Sequence, residues 1–190
     1  MSIKVIGGEF KNRSLLYKLP SNKTKIVRPI LARVRKSLFD IITPYIKNSI
    51  FLDLYCGTGI VGIEALSRGA QMCVFVDSDE FIINLLKKNI VKFNISEKTK
   101  IFCSDVFCFL NFIKQKTDIN EFDIIFLGPP YKENFVLKTL ELIVKQNILN
   151  KNGLIIAQHH FKENTKNIFL KLLREEKYGD TVLSFFNFSS

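Results

Sequence analysis

From residue 50 onward, short apolar runs alternate with longer segments whose apolar residues recur at helical spacing. The apolar runs, which predict strands, are IFLDLY (50–55), MCVFVD (72–77), KIFCSD (100–105), FDIIFL (122–127), GLIIAQ (153–158) and TVLSFFNF (181–188). The intervening segments predict helices over 59–68, 79–93, 106–116, 133–146 and 162–175. Continuously apolar strands are typical of a parallel sheet covered by helices on both faces. The sequence therefore predicts an α/β, Rossmann-like fold with a doubly wound, mostly parallel sheet.

The first 48 residues differ from this pattern and carry most of the net positive charge. Residues 3–6 and 14–17 predict two short strands of a hairpin, and a helix is expected from Ala32 to about Ile46. Residues 1–50 contain eleven basic and two acidic side chains, whereas the remaining 140 contain seventeen and sixteen. Basic charge concentrated in this way is typical of a protein that binds a polyanion, above all nucleic acid. We therefore predict a basic N-terminal extension over 1–48 and an α/β domain over 49–190.

Composition excludes several other classes. No run of eighteen apolar residues predicts a membrane span, and the N-terminus lacks the pattern of a secretory signal. The four cysteines form no CxxC pair and the two histidines are adjacent, so we expect no metal site. Reduced thiols and a cytoplasmic location are expected.

A glycine-rich loop follows the first strand of the predicted sheet. Gly57, Gly59 and Gly62 match GxGxxG between a strand and a helix, where glycines let a ligand approach the backbone closely. Asp77 and Asp105 end the next two strands, so a ribose and an adenine could lie against them. The alternative is that each acid only caps the helix that follows it.

Asp53 separates the two cofactors that fit such a crevice, a nicotinamide dinucleotide and S-adenosylmethionine. It lies inside an apolar strand, four residues before Gly57. A carboxylate there would repel a pyrophosphate but attract a sulfonium and an ammonium. This charge favours S-adenosylmethionine.

Several motifs together resemble one family of methyltransferases. LDLYCGTG, VDSD and CSD are similar to the class I S-adenosylmethionine-dependent methyltransferases. IKVIGGEFKNRSL, RPILARVRKSLFDII (28–42) and LDLYCGTGIVGIEALSRGA (52–70) resemble the bacterial enzymes that methylate the 2-amino group of a guanine in 16S rRNA. The resemblance implies a seven-stranded sheet with a reversed strand near the C-terminus.

The resemblance also implies functional residues. The expected cofactor contacts are Asp53, Tyr55, Cys56, Gly57, Thr58, Gly59, Asp77, Ser78, Asp105 and Val106. The expected RNA contacts are Lys11, Arg13, Arg28, Arg33 and Arg35, because arginine pairs with phosphate and stacks on splayed bases.

The expected catalytic residues are Gly128, Pro129, Pro130 and Tyr131, in the stretch GPPY. In amino methyltransferases this loop is normally Asp or Asn, two prolines and an aromatic residue. The side-chain acceptor and the first proline carbonyl bind the amine, while the aromatic ring stacks on the flipped base. Here Gly128 replaces the acceptor. Either water or a nearby group substitutes for it, or the chain binds without catalysing, or the glycine is an engineered or erroneous residue.

Other positions on the substrate side also depart from the family pattern. Ile30 and Ala32 stand where the family has Thr and Asp, and Gln158 stands where Glu is common.

The sequence thus predicts a monomeric RNA methyltransferase that acts on 16S rRNA in the 30S subunit or an assembly intermediate. Three alternatives stay open. The first is a catalytically weak RNA-binding or assembly protein, the second a DNA amino methyltransferase, and the third a nicotinamide-dependent oxidoreductase.

Overall fold

A computed structural model of the chain describes residues 3–17, 30–130, 135–166 and 169–188. The strands are β1 (Ile50–Leu54), β2 (Met72–Asp77), β3 (Thr99–Cys103), β4 (Phe122–Leu127), β5 (Leu149–His160), β6 (Leu170–Tyr178) and β7 (Thr181–Phe188). The helices are α1 (Ala32–Ile46), α2 (Ile60–Ser67), α3 (Glu80–Phe93), α4 (Val106–Asn111), α5 (Ile113–Lys116) and α6 (Phe135–Gln146). The predicted α/β alternation is confirmed, although the helix expected over 106–116 is divided into α4 and α5.

All seven strands form one sheet in the order β3-β2-β1-β4-β5-β7-β6. The pairs between β1, β2, β3, β4 and β5 are parallel, whereas β7 is antiparallel to both β5 and β6. The strand order reverses at β1: β2 and β3 lie on one side of it, and β4 and the strands that follow β4 lie on the other. In open sheets of this kind, ligands bind at such a switch point, outside the carboxyl ends of the strands.

The helix predicted over 162–175 is wrong, because that region contains β6. Leucines 170, 172 and 173 fit a helical spacing, but pairing with β7 determines the conformation. As an edge strand β6 is mostly exposed, and it therefore lacks the alternating apolar pattern that would have predicted a strand. Gly179 has a φ of 62° and, with Asp180, forms the two-residue connection to β7. A Gly-Asp pair between two runs is a hairpin indication that favours the observed structure.

Two apolar clusters cover the two faces of the sheet. Phe51 and Phe75 belong to the cluster beneath α1, α2 and α3, while Leu52 and Val74 belong to the cluster beneath α4 and α6. Successive residues of each strand therefore face opposite clusters, as the pleat of a strand requires. Asp53 follows the same alternation and lies on the α2 side of β1.

The N-terminal segment packs on the first of these clusters. Ile3, Val5, Phe10 and Leu15 are buried in it together with α1. The predicted hairpin is reduced to a single antiparallel bridge between Lys4 and Ser14. The division at residues 48 and 49 stays a prediction, but the described part of the extension shares a core with the sheet.

The loop of residues 7–12, which we call the N-terminal loop, lies against the end of α2. The Gly7 carbonyl accepts a hydrogen bond from the Ser67 hydroxyl, and the amide of Glu9 donates to the Ser67 carbonyl at 2.8 Å. Gly8 has a φ of 74°, and a Cβ there would lie 1.9 Å from the same carbonyl oxygen. Only glycine fits this contact.

Within the described residues, no helix is long and apolar enough to cross a membrane.

Candidate cofactor and substrate site

The glycine loop connects β1 to α2 through a left-handed backbone. Tyr55, Gly57 and Gly59 all have positive φ, at 58°, 52° and 72°. A Cβ at Gly59 would lie 2.3 Å from the Cδ1 atom of Leu86. The loop is therefore held in a left-handed conformation at the carboxyl edge of the sheet.

Asp77 fastens the glycine loop to β2. One carboxylate oxygen accepts a hydrogen bond from the Gly57 amide at 2.8 Å, and the other accepts from the Asp79 amide at 3.0 Å. Asp79, not Asp77, caps α3 by accepting from the Ile82 amide. Each oxygen of Asp77 keeps a second lone pair, so hydroxyl groups of a ribose can still donate to it.

Asp105 is exposed at the start of α4 and accepts a hydrogen bond from the Cys108 amide at 3.0 Å. The helix-cap interpretation thus describes its contact, and its exposure leaves room for a base beside it. Ser78 is also exposed at this edge, whereas Cys56, Thr58 and Val106 are buried. Those three buried residues would therefore contact a ligand mainly through backbone atoms.

Asp53 is a buried carboxyl group behind the glycine loop. Its Oδ2 atom accepts a hydrogen bond from the Gly62 amide at 2.9 Å. Among the described residues, its buried Oδ1 atom has no hydrogen-bond partner. Burial raises the pKa of Asp53 well above its ordinary value. A cationic ligand group would favour ionisation and supply the missing partner, so this side chain fits the charge of S-adenosylmethionine.

Tyr55 is held against α6. Its hydroxyl lies 2.9 Å from the Thr139 hydroxyl, and burial raises the pKa of Tyr55 to about 12. Tyr55 therefore connects the glycine loop to the apolar cluster beneath α4 and α6. Its hydroxyl stays neutral at physiological pH.

The predicted substrate loop begins where β4 ends, next to β1. The Gly128 amide donates to the Leu54 carbonyl at 3.4 Å, Pro129 is buried and Pro130 is exposed. Tyr131 lies outside the described residues. Gly128 does not have a positive φ, so its backbone does not require glycine. A Cβ there would lie 3.3 Å from the Phe126 ring and 3.8 Å from Oε1 of Gln158.

The prediction that Arg35 faces RNA does not fit its position, because its side chain is buried. The guanidinium lies 3.5 Å from the Glu64 carboxylate and donates to the Lys4 carbonyl at 2.6 Å. Glu64 is fully buried, lies 3.0 Å from the guanidinium of Arg68 and accepts from the Ile6 amide at 2.9 Å. Arg35 thus joins the N-terminal segment to α2. Glu64 is not among the residues predicted from the sequence, although an acid within the apolar run IVGIEAL indicates a buried ion pair.

Of the other predicted RNA contacts, the three that the structure describes lie at opposite edges of the sheet. Arg33 is exposed in the first turn of α1. Ser37, one turn further, hydrogen-bonds the hydroxyl of Tyr178 at the carboxyl-edge end of β6. Arg33 therefore lies toward the edge that carries the glycine loop and Gly128. Arg28 lies outside the described residues.

Lys11 and Arg13 are exposed near the amino edge. Arg13 donates to the Lys92 carbonyl at 2.8 Å and lies 4.4 Å from the centre of the Phe93 ring, at the end of α3. Because α3 has 14 residues, its two ends are separated by about 20 Å. These two side chains could contact RNA only at a distance from the crevice.

The strand order, the reversed β7 and the glycine loop at the switch point define the fold of the class I methyltransferases. Similar folds occur in "Putative methyltransferase yhhF" from Escherichia coli, with a TM-score of 0.84, 24% identity and coverage of 100% and 99% of the two chains. An RNA methyltransferase from Salinibacter ruber, in complex with S-adenosyl-L-homocysteine, has a TM-score of 0.65 at 14% identity and coverage of 83% and 92%.

The chain belongs to the family described as "Conserved hypothetical protein 95", whose model matches residues 3–187. Its relatives include "Putative rRNA methyltransferase YlbH" of Bacillus subtilis, 33% identical over 97% of this chain and 98% of the relative. "Ribosomal RNA small subunit methyltransferase D" of Buchnera aphidicola is 34% identical over 85% of this chain and 80% of the relative.

Proposed function

We propose that the protein methylates the exocyclic 2-amino group of a guanine in 16S rRNA, with S-adenosylmethionine as the methyl donor. The observation that carries the proposal is the position of the GPP loop. It leaves β4 directly beside the glycine loop of β1, so an amine bound at Pro129 would lie next to the cofactor crevice. The named relatives support an rRNA substrate.

S-adenosylmethionine supplies an electrophilic methyl group on a cationic sulfur. The chain's own residues would orient the two reactants. Asp77 and the backbone of Gly57 and Gly59 would hold the nucleoside end, and Asp53 would balance the positive charge. The carbonyl of Pro129 would accept an N–H of the guanine and so direct the nitrogen lone pair toward the methyl group. The nitrogen gains the methyl group, the sulfur keeps the electron pair of the broken bond, and the surplus proton leaves to solvent.

A single-turnover assay tests the proposal directly. The protein is mixed with tritiated S-adenosylmethionine and unmodified 30S particles, and the labelled nucleoside is identified by mass spectrometry after digestion. We expect one N2-methylguanosine per particle. Label on an adenine, on DNA, or on ribosomal protein would contradict the proposed specificity.

Gly128 favours a second candidate, a protein that binds the cofactor and RNA but contributes to assembly without turnover. Losing one preorganised transition-state group costs about 100- to 1,000-fold in rate. In that case the wild-type protein would bind 30S particles without labelling them, and Gly128→Asp would restore labelling.

Point variants are needed to test whether the basic extension binds RNA. Deleting residues 1–25 would remove Ile3, Val5, Phe10 and Leu15 from the core and so change folding as well as binding. Single substitutions of exposed basic residues avoid this ambiguity.

A further inference from the structure

Gln158 lies beside the position where the family's acceptor side chain is missing. β4 and β5 are parallel neighbours, and their register pairs Leu127 with Ala157. The next residues, Gly128 and Gln158, therefore stand side by side at the carboxyl edge of the sheet. Side chains that are in register on adjacent strands point to the same face.

The amide of Gln158 lies close to the space that an aspartate at position 128 would fill. Its Oε1 atom lies 3.8 Å from the point that a Cβ of residue 128 would occupy. In an aspartate, the carboxylate oxygens lie about 2.4 Å from Cβ, as standard bond lengths dictate. The glutamine oxygen is thus within about one bond length of the distance at which an aspartate would present its acceptor.

The surroundings of this amide leave it able to bind a substrate. Gln158 is only partly buried, and among the described residues no group hydrogen-bonds to its side chain. The Phe126 ring, 3.3 Å from the Cβ point, forms the other wall of the same space. An amide oxygen accepts an N–H hydrogen bond as a carboxylate does, without adding charge.

We propose that Gln158 is a catalytic residue that replaces the missing acceptor, so that its Oε1 atom and the Pro129 carbonyl together bind the two N–H groups of the substrate amine. This inference rests on the proposed amino methylation. It makes Gly128 and Gln158 one functional unit, in which the acceptor comes from β5 in place of β4. The methyl-transfer step is unchanged: the N–C bond forms, the S–C bond breaks, and one amine proton goes to solvent.

Four variants test this role in the single-turnover assay on 30S particles. Gln158→Met keeps the size of the side chain but removes the acceptor, so we expect its rate to fall on the order of 100-fold. Gln158→Glu keeps an oxygen acceptor and should stay within a few-fold of the wild type. Adding Gly128→Asp to Gln158→Met should restore most of the lost rate. Gln71→Met, at an exposed position before β2 and at the amino edge of the sheet, is the matched control and should have no effect.

Cofactor affinity by calorimetry and the unfolding midpoint should be unchanged in all four variants. If the role of Gln158 were purely structural, Gln158→Met would lower the unfolding midpoint, and adding Gly128→Asp to that variant would not restore the lost rate. An active wild type with an equally active Gln158→Met variant overturns the inference but leaves the proposed function standing. An inactive wild type that Gly128→Asp activates overturns the inference and favours the second candidate, the protein that binds the cofactor and RNA without turnover. Inactivity of both the wild type and Gly128→Asp on 30S particles overturns the proposed function.

Discussion

Asp53 is a buried carboxyl group, and its proposed partner is the positive charge of S-adenosylmethionine. In the absence of a ligand, the folded protein binds a proton on this carboxyl group more tightly than the unfolded chain does, because burial disfavours the charged form. Unfolding therefore releases a proton at pH values between the two pKa values. The free energy of unfolding then falls as pH rises through that window.

Replacing Asp53 by Asn removes this dependence. We expect the ligand-free wild type to lose stability relative to Asp53→Asn as pH rises above the ordinary pKa of an aspartate, with the difference levelling off above the raised pKa. Urea denaturation at a series of pH values measures it. We also expect Asp53→Asn to weaken S-adenosylmethionine binding about 10- to 100-fold, since a hydrogen bond to a charged group contributes about 1.5–3 kcal/mol. Equal affinity of the two proteins at all pH values would contradict the assignment.

Arg33 and Arg35 are two residues apart but have different environments. We expect Arg35→Ala to lower the free energy of unfolding by about 3 kcal/mol, because it leaves the buried Glu64 with one partner fewer. Arg33→Ala should change stability by less than about 0.5 kcal/mol, because the side chain is exposed, but it should weaken binding to 30S particles. Urea denaturation and filter binding separate the two effects. Unchanged RNA affinity in Arg33→Ala would remove this residue from the interface.

At the scale of elements, the contribution of the contact between the N-terminal loop and α2 can be measured. The control is the β6–β7 turn, where a glycine has a similar backbone conformation but no close contact. Gly8 and Gly179 both have positive φ, but a Cβ at Gly179 meets nothing within 4 Å. Gly179→Ala should therefore cost only the conformational strain, about 1–2 kcal/mol. Gly8→Ala should cost more, because its Cβ collides with the Ser67 carbonyl. Urea denaturation measures both.

Hydrogen exchange adds a local measurement of the same contact. The amides of Glu9 and Phe10 donate to Ser67, so both should exchange faster in Gly8→Ala than in Gly179→Ala. Equal exchange rates in the two variants would mean that the N-terminal loop does not need the close contact between Gly8 and the Ser67 carbonyl.

The elements also show how far the sequence predicts the fold. Residues 50–158 have strong apolar periods and distinct breaks. The strands and helices predicted there are confirmed with shifts at their ends, apart from the helix over 106–116, which is divided into α4 and α5. β6 was not predicted, because an edge strand with one neighbour has no burial pattern of its own. Its conformation depends on pairing with β7, which is a property of the folded sheet.

The candidate site shows the same limit. The positions of Gly57, Asp77 and Gly128 at strand ends follow from the order of elements along the chain. The approach of Gln158 to Gly128 depends on β5 lying next to β4, which the sequence does not contain as a local pattern. The family resemblance predicts Arg35 as an RNA contact, and only the position of Glu64 on α2 explains its burial.

At the scale of the whole molecule, binding to RNA should depend on salt through the basic extension. Lys11, Arg13 and Arg33 are exposed. If all three contact phosphates, replacing them with alanine should reduce the slope of log affinity against log salt by about 2, since each contact to a single strand contributes about 0.7. Binding to 30S particles across a range of salt concentrations measures the slope.

A triple variant of exposed lysines elsewhere, Lys114, Lys145 and Lys151, has the same net charge and is the control. An equal loss of slope in both triple variants would mean that net charge, not the extension, determines RNA affinity.

The position of β7 between β5 and β6 also governs how the chain folds during synthesis. β6 is synthesised before β7, yet its only partner in the sheet is β7, which pairs with β5 on its other side. A nascent chain that ends after β6 therefore presents the open edge of β5 and an unpaired strand at the same time. We expect pairing of β6 with the open edge of β5 to be the misfolding hazard of this topology, and closure of the β6–β7 hairpin at Gly179 to avoid it.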